Sequence, residues 1–288
     1  MDRRGAAGLI LVARYAVLLP LVLGACGPAA SGLVAGYDFR EPLRSIELPK
    51  ALREVSSVAA IDGNELACLQ DEKGMLYFVD LSSGRVLRRA KFGKKGDYEG
   101  LAYRDGEFWV LRSDGLILAL EKDGDRYRAV REAKASTGNE EFEGLAIDKA
   151  RGQLILAPKD RLPGRANSSQ RQLYRVDPKS LEIDRTPWRT LDFKALRDAH
   201  EAVGLEKPRL RLSEVAVDPA GDRLWLLSAV DRMLVVVDLQ GNVVGQHIFT
   251  PEEMPQPEGI AFLPDGRVVL ASEGVDGPAW LRIYGRLD

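Results

Sequence analysis

The chain has 288 residues, of which 45% are hydrophobic and 29% are charged, a composition typical of a globular protein with one large or two ordinary domains. Its 41 basic and 43 acidic side chains leave a formal net charge of −2, so no positive excess indicates a nucleic-acid partner. Two cysteines, Cys26 and Cys68, are too few for a disulfide framework.

The first residues of the chain have the pattern of an export signal. Arg3 and Arg4 precede an apolar run over residues 6–23, and Leu23-Gly24-Ala25-Cys26 has the form of a lipobox. Arg14 interrupts the run and makes it marginal for a membrane span. A plain secretory signal and a short membrane anchor are the alternatives to a lipoprotein signal.

We therefore predict a signal peptide over residues 1–25, lipidation of Cys26 and a lipidated tether over residues 26–42. The lipid on Cys26 would make the membrane a partner of the chain and hold it on the periplasmic side of a bacterial envelope. Gly27, in place of an aspartate, favours the outer over the inner membrane.

One tetrapeptide recurs through the rest of the chain at intervals of about 44 residues, with one longer interval. Its first clear copy is Glu99-Gly100-Leu101-Ala102. The other copies are Ser56-Ser57-Val58-Ala59, Glu143-Gly144-Leu145-Ala146, Ser213-Glu214-Val215-Ala216 and Glu258-Gly259-Ile260-Ala261.

Each copy is followed by a Gly- or Asp-containing turn and two or three further short apolar segments, the pattern of antiparallel hairpins. Four strands per repeat predict an all-β, five-bladed β-propeller over residues 43–288. A strand over residues 43–48 would pair with the last blade, which has only three strands of its own, and close the ring. A β-sandwich is the alternative, but sandwiches do not repeat their sequence.

The third repeat is about 26 residues longer than the others. We predict a polar loop over residues 160–169, a fourth strand over 183–191 and a small helical insertion over 192–205. Asp192 would cap this helix, and its apolar face would comprise Phe193, Leu196, Ala199 and Val203.

The first strand of each propeller blade lines the central channel, so the first motif residues should form a ring at one mouth. These residues are Ser56, Glu99, Glu143, Ser213 and Glu258. Carboxylates this close repel one another, and an all-oxygen donor set suits Ca²⁺. We predict Glu99, Glu143 and Glu258 as calcium ligands, with Asp71, Glu72 and Glu273 as weaker candidates. The alternative is a rim held by ion pairs with Lys159 or nearby arginines.

Residues 47–59, 71–77 and 96–102, the last reading Gly96-Asp97-Tyr98-Glu99-Gly100-Leu101-Ala102, resemble the SdiA-regulated proteins of bacterial envelopes. The resemblance covers about residues 46–284. It implies a five-bladed propeller distantly similar to NHL-repeat proteins, with a calcium site in a member and no established reaction. The Glu-Gly motif is also similar, more distantly, to that of propeller lactonases and calcium-dependent phytase-like esterases, although this chain has five repeats where those have six blades.

Two functions are compatible with these patterns. The first is a lipid-anchored, calcium-binding module that docks an unidentified protein or small molecule at the propeller rim, without catalysis. The alternative is a calcium-dependent hydrolase of an envelope ester, lactone or phosphoester. In that hypothesis Asp71, Glu72 or Glu273 is the general base, and Lys159 steadies an anionic substrate.

Overall fold

The structure is a computed structural model that describes residues 33–139, 141–160 and 169–287. The predicted signal peptide, Cys26, residues 27–32 and most of the predicted loop at 160–169 lie outside these residues. Within them, the strands form five four-stranded antiparallel sheets and one two-stranded hairpin. The predicted all-β, five-bladed propeller is confirmed.

Each sheet is a blade, and consecutive strands of the chain are neighbours within it. Blade 1 comprises β4 (Val55–Ala60), β5 (Glu65–Gln70), β6 (Met75–Asp80) and β7 (Val86–Lys91). Blade 2 comprises β8 (Tyr98–Arg104), β9 (Glu107–Arg112), β10 (Leu116–Asp123) and β11 (Arg126–Lys134). Blade 3 comprises β12 (Phe142–Asp148), β13 (Gln153–Pro158), β14 (Gln170–Val176) and β15 (Arg189–Asp192).

The last two blades follow the same plan. Blade 4 comprises β16 (Glu214–Val217), β17 (Arg223–Ser228), β18 (Met233–Asp238) and β19 (Val243–Ile248). Blade 5 comprises β20 (Gln256–Phe262), β21 (Val268–Glu273), β22 (Trp280–Tyr284) and, from upstream of blade 1, β3 (Arg44–Glu47). A 3₁₀ turn over Lys50–Leu52 joins β3 to blade 1.

The sequence of each strand matches its place in the blade. The inner strands β5 and β6 are buried along nearly their whole length, whereas the outermost strand of that blade, β7, is basic and mostly exposed. Apolar side chains on both faces of the inner strands pack between neighbouring blades. Five hydrophobic clusters result, one in each interface around the ring, including the interface between blades 5 and 1.

The ring is closed by the upstream strand, as the sequence predicts. β3 pairs antiparallel with β22, with Ile46 opposite Leu281. Ile46 belongs to the apolar cluster between blades 1 and 5, where Cys68 is also fully buried. Burial raises the pKa of the Cys68 thiol. Cys68 is therefore a packing residue of the core and not a reactive thiol.

A hairpin precedes the closing strand, within the residues that the sequence analysis places in the tether. Its strands are β1 (Leu33–Val34) and β2 (Tyr37–Asp38). Ala35 and Gly36 between them both have positive φ, as a two-residue hairpin turn requires. From residue 33 onward the chain is thus part of the packed domain.

Phe39, which follows this hairpin, fixes it to the propeller. Its ring lies within about 6 Å of five aromatic rings between blades 4 and 5, those of Tyr37, Trp225, His247, Phe249 and Tyr284. This packing could not be predicted from the sequence, because two-residue strands are too short to show a hydrophobic period.

The insertion in blade 3 contains the predicted helix, but its span and part of its buried face differ. Helix α1 spans only Lys194–Ala202, and Asp192 caps it by accepting a hydrogen bond from the Lys194 N–H at 2.9 Å. Phe193 and Leu196 are buried as predicted, whereas Ala199 is exposed and Val203 lies past the end of the helix. His200 is buried instead and bonds Gln246 of blade 4. No helix among the described residues is long and apolar enough to cross a bilayer.

The outer strand of blade 3 is shorter than predicted. Only Arg189–Asp192 forms β15, and Ile183 makes a single isolated bridge to Val176. Pro187, which lies between these two paired stretches, has no N–H to donate to a ladder. It therefore divides the predicted strand of residues 183–191.

Candidate functional site

The first residue of the repeated motif lies at a β-bulge in four of the five blades. In blade 2 the pairing of β8 with β9 shifts register between Tyr98 and Gly100, so Glu99 has no partner residue. A bulge of this kind redirects a side chain from the sheet face. The same shift in blades 1, 3 and 5 leaves Ser56, Glu143 and Glu258 unpaired. All four residues line one cavity at a mouth of the channel.

The second motif residue is glycine in three blades because neighbouring first strands approach one another closely. A Cβ added to Gly144 would lie 2.8 Å from the backbone nitrogen of Val215 in the next blade. One added to Gly100 would lie 2.9 Å from the backbone nitrogen of Leu145. Since real Cβ atoms do not approach backbone this closely, these glycines allow the channel to be narrow.

The two blades without this glycine place a hydrogen-bonded pair across the channel. Ser57 donates its hydroxyl to Glu214 Oε2 and accepts the Leu101 N–H at 3.1 Å. Glu214 Oε1 accepts the N–H groups of Leu145 and Val215, at 3.2 and 2.9 Å. This pair, the Ser57–Glu214 hub, links the first strands of blades 1 to 4.

The cavity at the acidic mouth has a volume of about 180 Å³. Its wall is formed by six carboxyl side chains, one ammonium group and a few other residues. The carboxyl groups are those of Glu54, Asp71, Glu99, Glu143, Glu258 and Glu273. Five of the six predicted ligands are thus brought together. Glu72, the sixth, is exposed and does not line the cavity.

Burial and crowding raise the pKa values of the central carboxyl groups of this mouth. Burial, with the nearby charge of Glu143, the hydrogen bond to Asp97 and the charge of Glu258, raises the pKa of Glu99 from 4.5 to about 10. Burial also raises the pKa values of Glu143 and Glu258, although Gln256 donates a hydrogen bond to Glu258 at 3.0 Å. Ionising these carboxyl groups together is therefore unfavourable, and a bound cation would offset that penalty.

The pKa values of two outer carboxyl groups of the cavity are also raised. Burial raises the pKa of Asp71 from 3.8 to about 6, and the charge of Glu54 adds to this effect. Burial and the charge of Asp71 also raise the pKa of Glu273. The cavity consequently contains groups that titrate in different ranges of pH.

Lys159 supplies the one ammonium group on the cavity wall. It forms an ion pair with Glu143 and lies 3.7 Å from Glu141. Burial lowers the pKa of Lys159, but these carboxylates outweigh that effect and raise it. The alternative predicted for the rim, an ion pair with Lys159, is thus present for Glu143 but not for Glu99 or Glu258.

The donor set at the mouth is one that a hard cation accepts, because every candidate ligand atom is an oxygen. No group of three His, Cys, Asp or Glu residues within residues 33–139, 141–160 and 169–287 is arranged to hold a metal ion. The residues fit Ca²⁺ by type, and holding the ion would require the carboxylates to turn toward a common point.

Ser56 and Ser213, predicted as ring members, connect neighbouring blades. Ser56 donates to the Tyr98 carbonyl at 2.7 Å, and Ser213 donates to the Pro257 carbonyl at 2.8 Å. In both cases the acceptor is the residue before the first motif position of the next blade. The two hydroxyls are therefore equivalent links within the fold.

We expect Ser213→Ala to lower the free energy of unfolding by about 1 kcal/mol, because it leaves the buried Pro257 carbonyl without this donor. For a domain of this size the loss corresponds to a melting temperature lower by roughly 2–4 °C. Thermal unfolding followed by circular dichroism measures it. An unchanged midpoint would show that the link contributes nothing.

The raised pKa of Glu99 predicts that stability falls as the pH rises above neutral. Below pH 4.5 both folded and unfolded chains hold this proton; between 4.5 and about 10 only the folded chain does, so unfolding releases it. Deprotonation of Glu99 in the unfolded chain therefore favours unfolding. We expect the free energy of unfolding to fall by on the order of 2 kcal/mol, a value reduced to allow for solvent screening of this partly exposed group. Melts in chelator from pH 6 to 9 test this, and Glu99→Gln should flatten the slope. Stability that rises over this range would contradict the prediction.

The other end of the channel is different in character. A cavity of about 260 Å³ is lined mainly by apolar residues of the first strands, with Glu214 among its lining residues. The alanine that ends each motif copy lines it: Ala59, Ala102, Ala146, Ala216 and Ala261. The Ser57–Glu214 hub thus lies between an acidic mouth and an apolar one. The first motif positions do not predict the hub. The non-glycine residues at the second position of two motif copies were the sequence signal that could have predicted it.

A family model described as SdiA-regulated matches residues 36–275. The chain belongs to the SdiA-regulated family. This match confirms the resemblance carried by residues 47–59, 71–77 and 96–102. No curated protein matches this member of the SdiA-regulated family.

Several solved structures are similar to this SdiA-regulated chain. Glutaminyl cyclase from Myxococcus xanthus is 15% identical with a TM-score of 0.57, over 86% of this chain and 97% of its own. The Cps50 (Swd1) propeller domain of Myceliophteria thermophila is 13% identical with a TM-score of 0.44, and the match covers 81% of this chain and 65% of that domain's chain. Hydrazine synthase of Kuenenia stuttgartiensis is 14% identical with a TM-score of 0.42, and the match covers 76% of this chain and 55% of its own. At these identities the first likeness indicates the fold alone.

Proposed function

We propose that this chain is a lipid-anchored propeller of a bacterial envelope that binds Ca²⁺ at the acidic mouth and serves as a docking module. The observation that carries the cation proposal is the enclosure of six carboxyl groups and a single ammonium group around one cavity. Bound calcium would favour the ionised form of Glu99, whose pKa is raised by burial and by the neighbouring carboxylates.

The envelope location rests on the lipobox at residues 23–26 and on the family to which the chain belongs. Acylation of Cys26 would hold the propeller at the membrane on the periplasmic side, with the outer membrane favoured by Gly27. A protein or small molecule would then dock at the propeller rim.

Isothermal titration calorimetry with Ca²⁺ tests the cation proposal. We expect one site in the chelator-treated protein and an affinity at least roughly tenfold weaker in Glu99→Gln, a loss of about 1.4 kcal/mol. Asp105→Asn is the matched control. It removes a carboxylate in the turn after β8, on a side chain that is 92% exposed. Equal affinities in the two variants would contradict the proposed ligand set.

Lys159→Met provides an independent check on the same site. Its ammonium group competes with any cation for Glu143, so its removal should strengthen Ca²⁺ binding. A variant that unfolds readily and gains no affinity would show that Lys159 is the structural counter-ion of this mouth.

A hydrolase is the second candidate, favoured by the separated pKa values in one cavity. Asp71, with a pKa of about 6, could accept a proton at neutral pH, whereas Glu99, with a pKa of about 10, could donate one. A panel of lactones, aryl esters and phosphate esters tests this reading. Turnover that disappears in Asp71→Asn would support it, and no turnover above that variant would exclude it for the panel.

A further inference from the structure

The described part of the chain begins at the outer edge of blade 4. Leu33 and Val34 of β1 contact β19, the outermost strand of that blade. Val34 packs directly on Gly245, where an added Cβ would lie 2.7 Å from Val34 Cγ1. The segment that leads back to Cys26 therefore joins the propeller at this edge.

Exposed apolar side chains concentrate around the same strand. Val244 lies at a bulge of β19, where the register shifts between Val236 and Val237, and is 51% exposed. The end of α1 is tied to β19 by the His200–Gln246 hydrogen bond of 2.9 Å. Together with two residues that follow α1, these elements form the blade 4 edge patch: Leu33, Val203, Leu205, Val244 and Ile248. Half of the large apolar side chains that are exposed among the described residues belong to it.

The length of the connecting segment limits which surface can face the membrane. Residues 27–33 reach at most about 25 Å when fully extended. A domain of this size has a radius of gyration of about 18 Å and is roughly 45 Å across. Blades 1 and 2 lie on the far side of the ring from blade 4, so their outer strands are the least able to reach a bilayer anchored at Cys26.

We propose that the blade 4 edge patch lies on the lipid surface when Cys26 is acylated. Exposed apolar side chains gathered at one edge of a domain mark membrane or protein contact sites, and the short tether places this patch nearest the bilayer. The ring then stands on its edge, which leaves both the acidic and the apolar mouth open to the periplasm. This inference rests on the lipid anchor of the proposed function.

The test uses the full chain, acylated in its bacterial host and reconstituted in vesicles of phosphatidylethanolamine and phosphatidylglycerol. Val244→Cys provides a thiol for a fluorescent label, since Cys68 is buried and the Cys26 thiol is blocked by lipid. Leu87→Cys, on the outermost strand of blade 1 and 55% exposed, is the matched control. Quenching of each label by spin-labelled lipid is compared.

We expect quenching of the label at position 244 to be several-fold stronger than at position 87, and Ile248→Cys to behave like Val244→Cys. Equal quenching at positions 87 and 244 in the acylated protein would overturn the orientation while leaving the anchor intact. An N-terminal peptide whose mass lacks the lipid would overturn both the anchor and the orientation.

Discussion

Glu214→Ala is expected to lower the free energy of unfolding by about 3 kcal/mol or more, or roughly 6–12 °C in melting temperature. Glu214 is 2% exposed and accepts three hydrogen bonds, from the Ser57 hydroxyl and from the N–H groups of Leu145 and Val215. Alanine would leave these donors without partners at the centre of the ring, where the first strands of four blades meet.

Glu214→Gln separates the loss of hydrogen bonds from the loss of charge. Burial raises the pKa of Glu214 well above its usual value and so favours the neutral form, which an amide of the same size resembles. We expect a cost of less than about 1 kcal/mol, because the amide oxygen still accepts both backbone N–H groups. A glutamine variant as unstable as the alanine variant would show that the hub depends on the carboxylate charge.

Gly144→Ala is the second substitution with a large expected effect, a loss of about 3 kcal/mol. The new Cβ would lie 2.8 Å from the backbone nitrogen of Val215 and 2.9 Å from its Cγ1, and backbone cannot move aside as a flexible side chain can. The first strands of blades 3 and 4 would have to separate, which also lengthens the bonds that converge on Glu214.

Gly63→Ala is the control for this prediction. Gly63 lies in the turn of blade 1, has no positive φ, and an added Cβ would meet no atom within 4 Å. Its melting temperature should therefore match the wild type. If Gly144→Ala has the same melting temperature as Gly63→Ala, the close approach of the first strands is contradicted.

The blades could be predicted from the sequence because each one repeats the same local pattern. A clear or weaker copy of the Glu-Gly-Leu-Ala motif marks every first strand, and the alternation of turns and short apolar segments predicts the other strands. The strand at β3 was predictable for a physical reason, since the last blade lacks its fourth strand and an open edge invites pairing.

The chemistry of the site was only partly predictable, because it depends on departures from the repeat. The first motif position predicted Glu99, Glu143 and Glu258 at one mouth. Their bulges, which direct them into the cavity, leave no mark on the sequence. Ser57 and Glu214 occupy the motif position at which the other blades have glycine. Only the structure, in which the first strands lie close together, shows that these two side chains form a hydrogen bond across the channel.

The insertion in blade 3 was the least predictable segment. Helical periodicity favoured Val203 on the buried face, but the helix ends at Ala202 and Val203 is exposed, whereas His200 is buried and bonds Gln246 of blade 4. A tertiary contact with another blade decided the orientation, and no local pattern contains that contact.

Thermal unfolding of the chelator-treated protein, with Ca²⁺, Mg²⁺ or no cation added back, tests the claim of a calcium site most directly. A hundredfold excess of Ca²⁺ over its dissociation constant should stabilise the protein by about 2.7 kcal/mol. We expect a rise of roughly 5–10 °C with Ca²⁺, a smaller one with Mg²⁺, and at most about half of the Ca²⁺ rise in Glu99→Gln. No shift with either cation would contradict the account and leave the acidic mouth as a rim compensated by Lys159 alone.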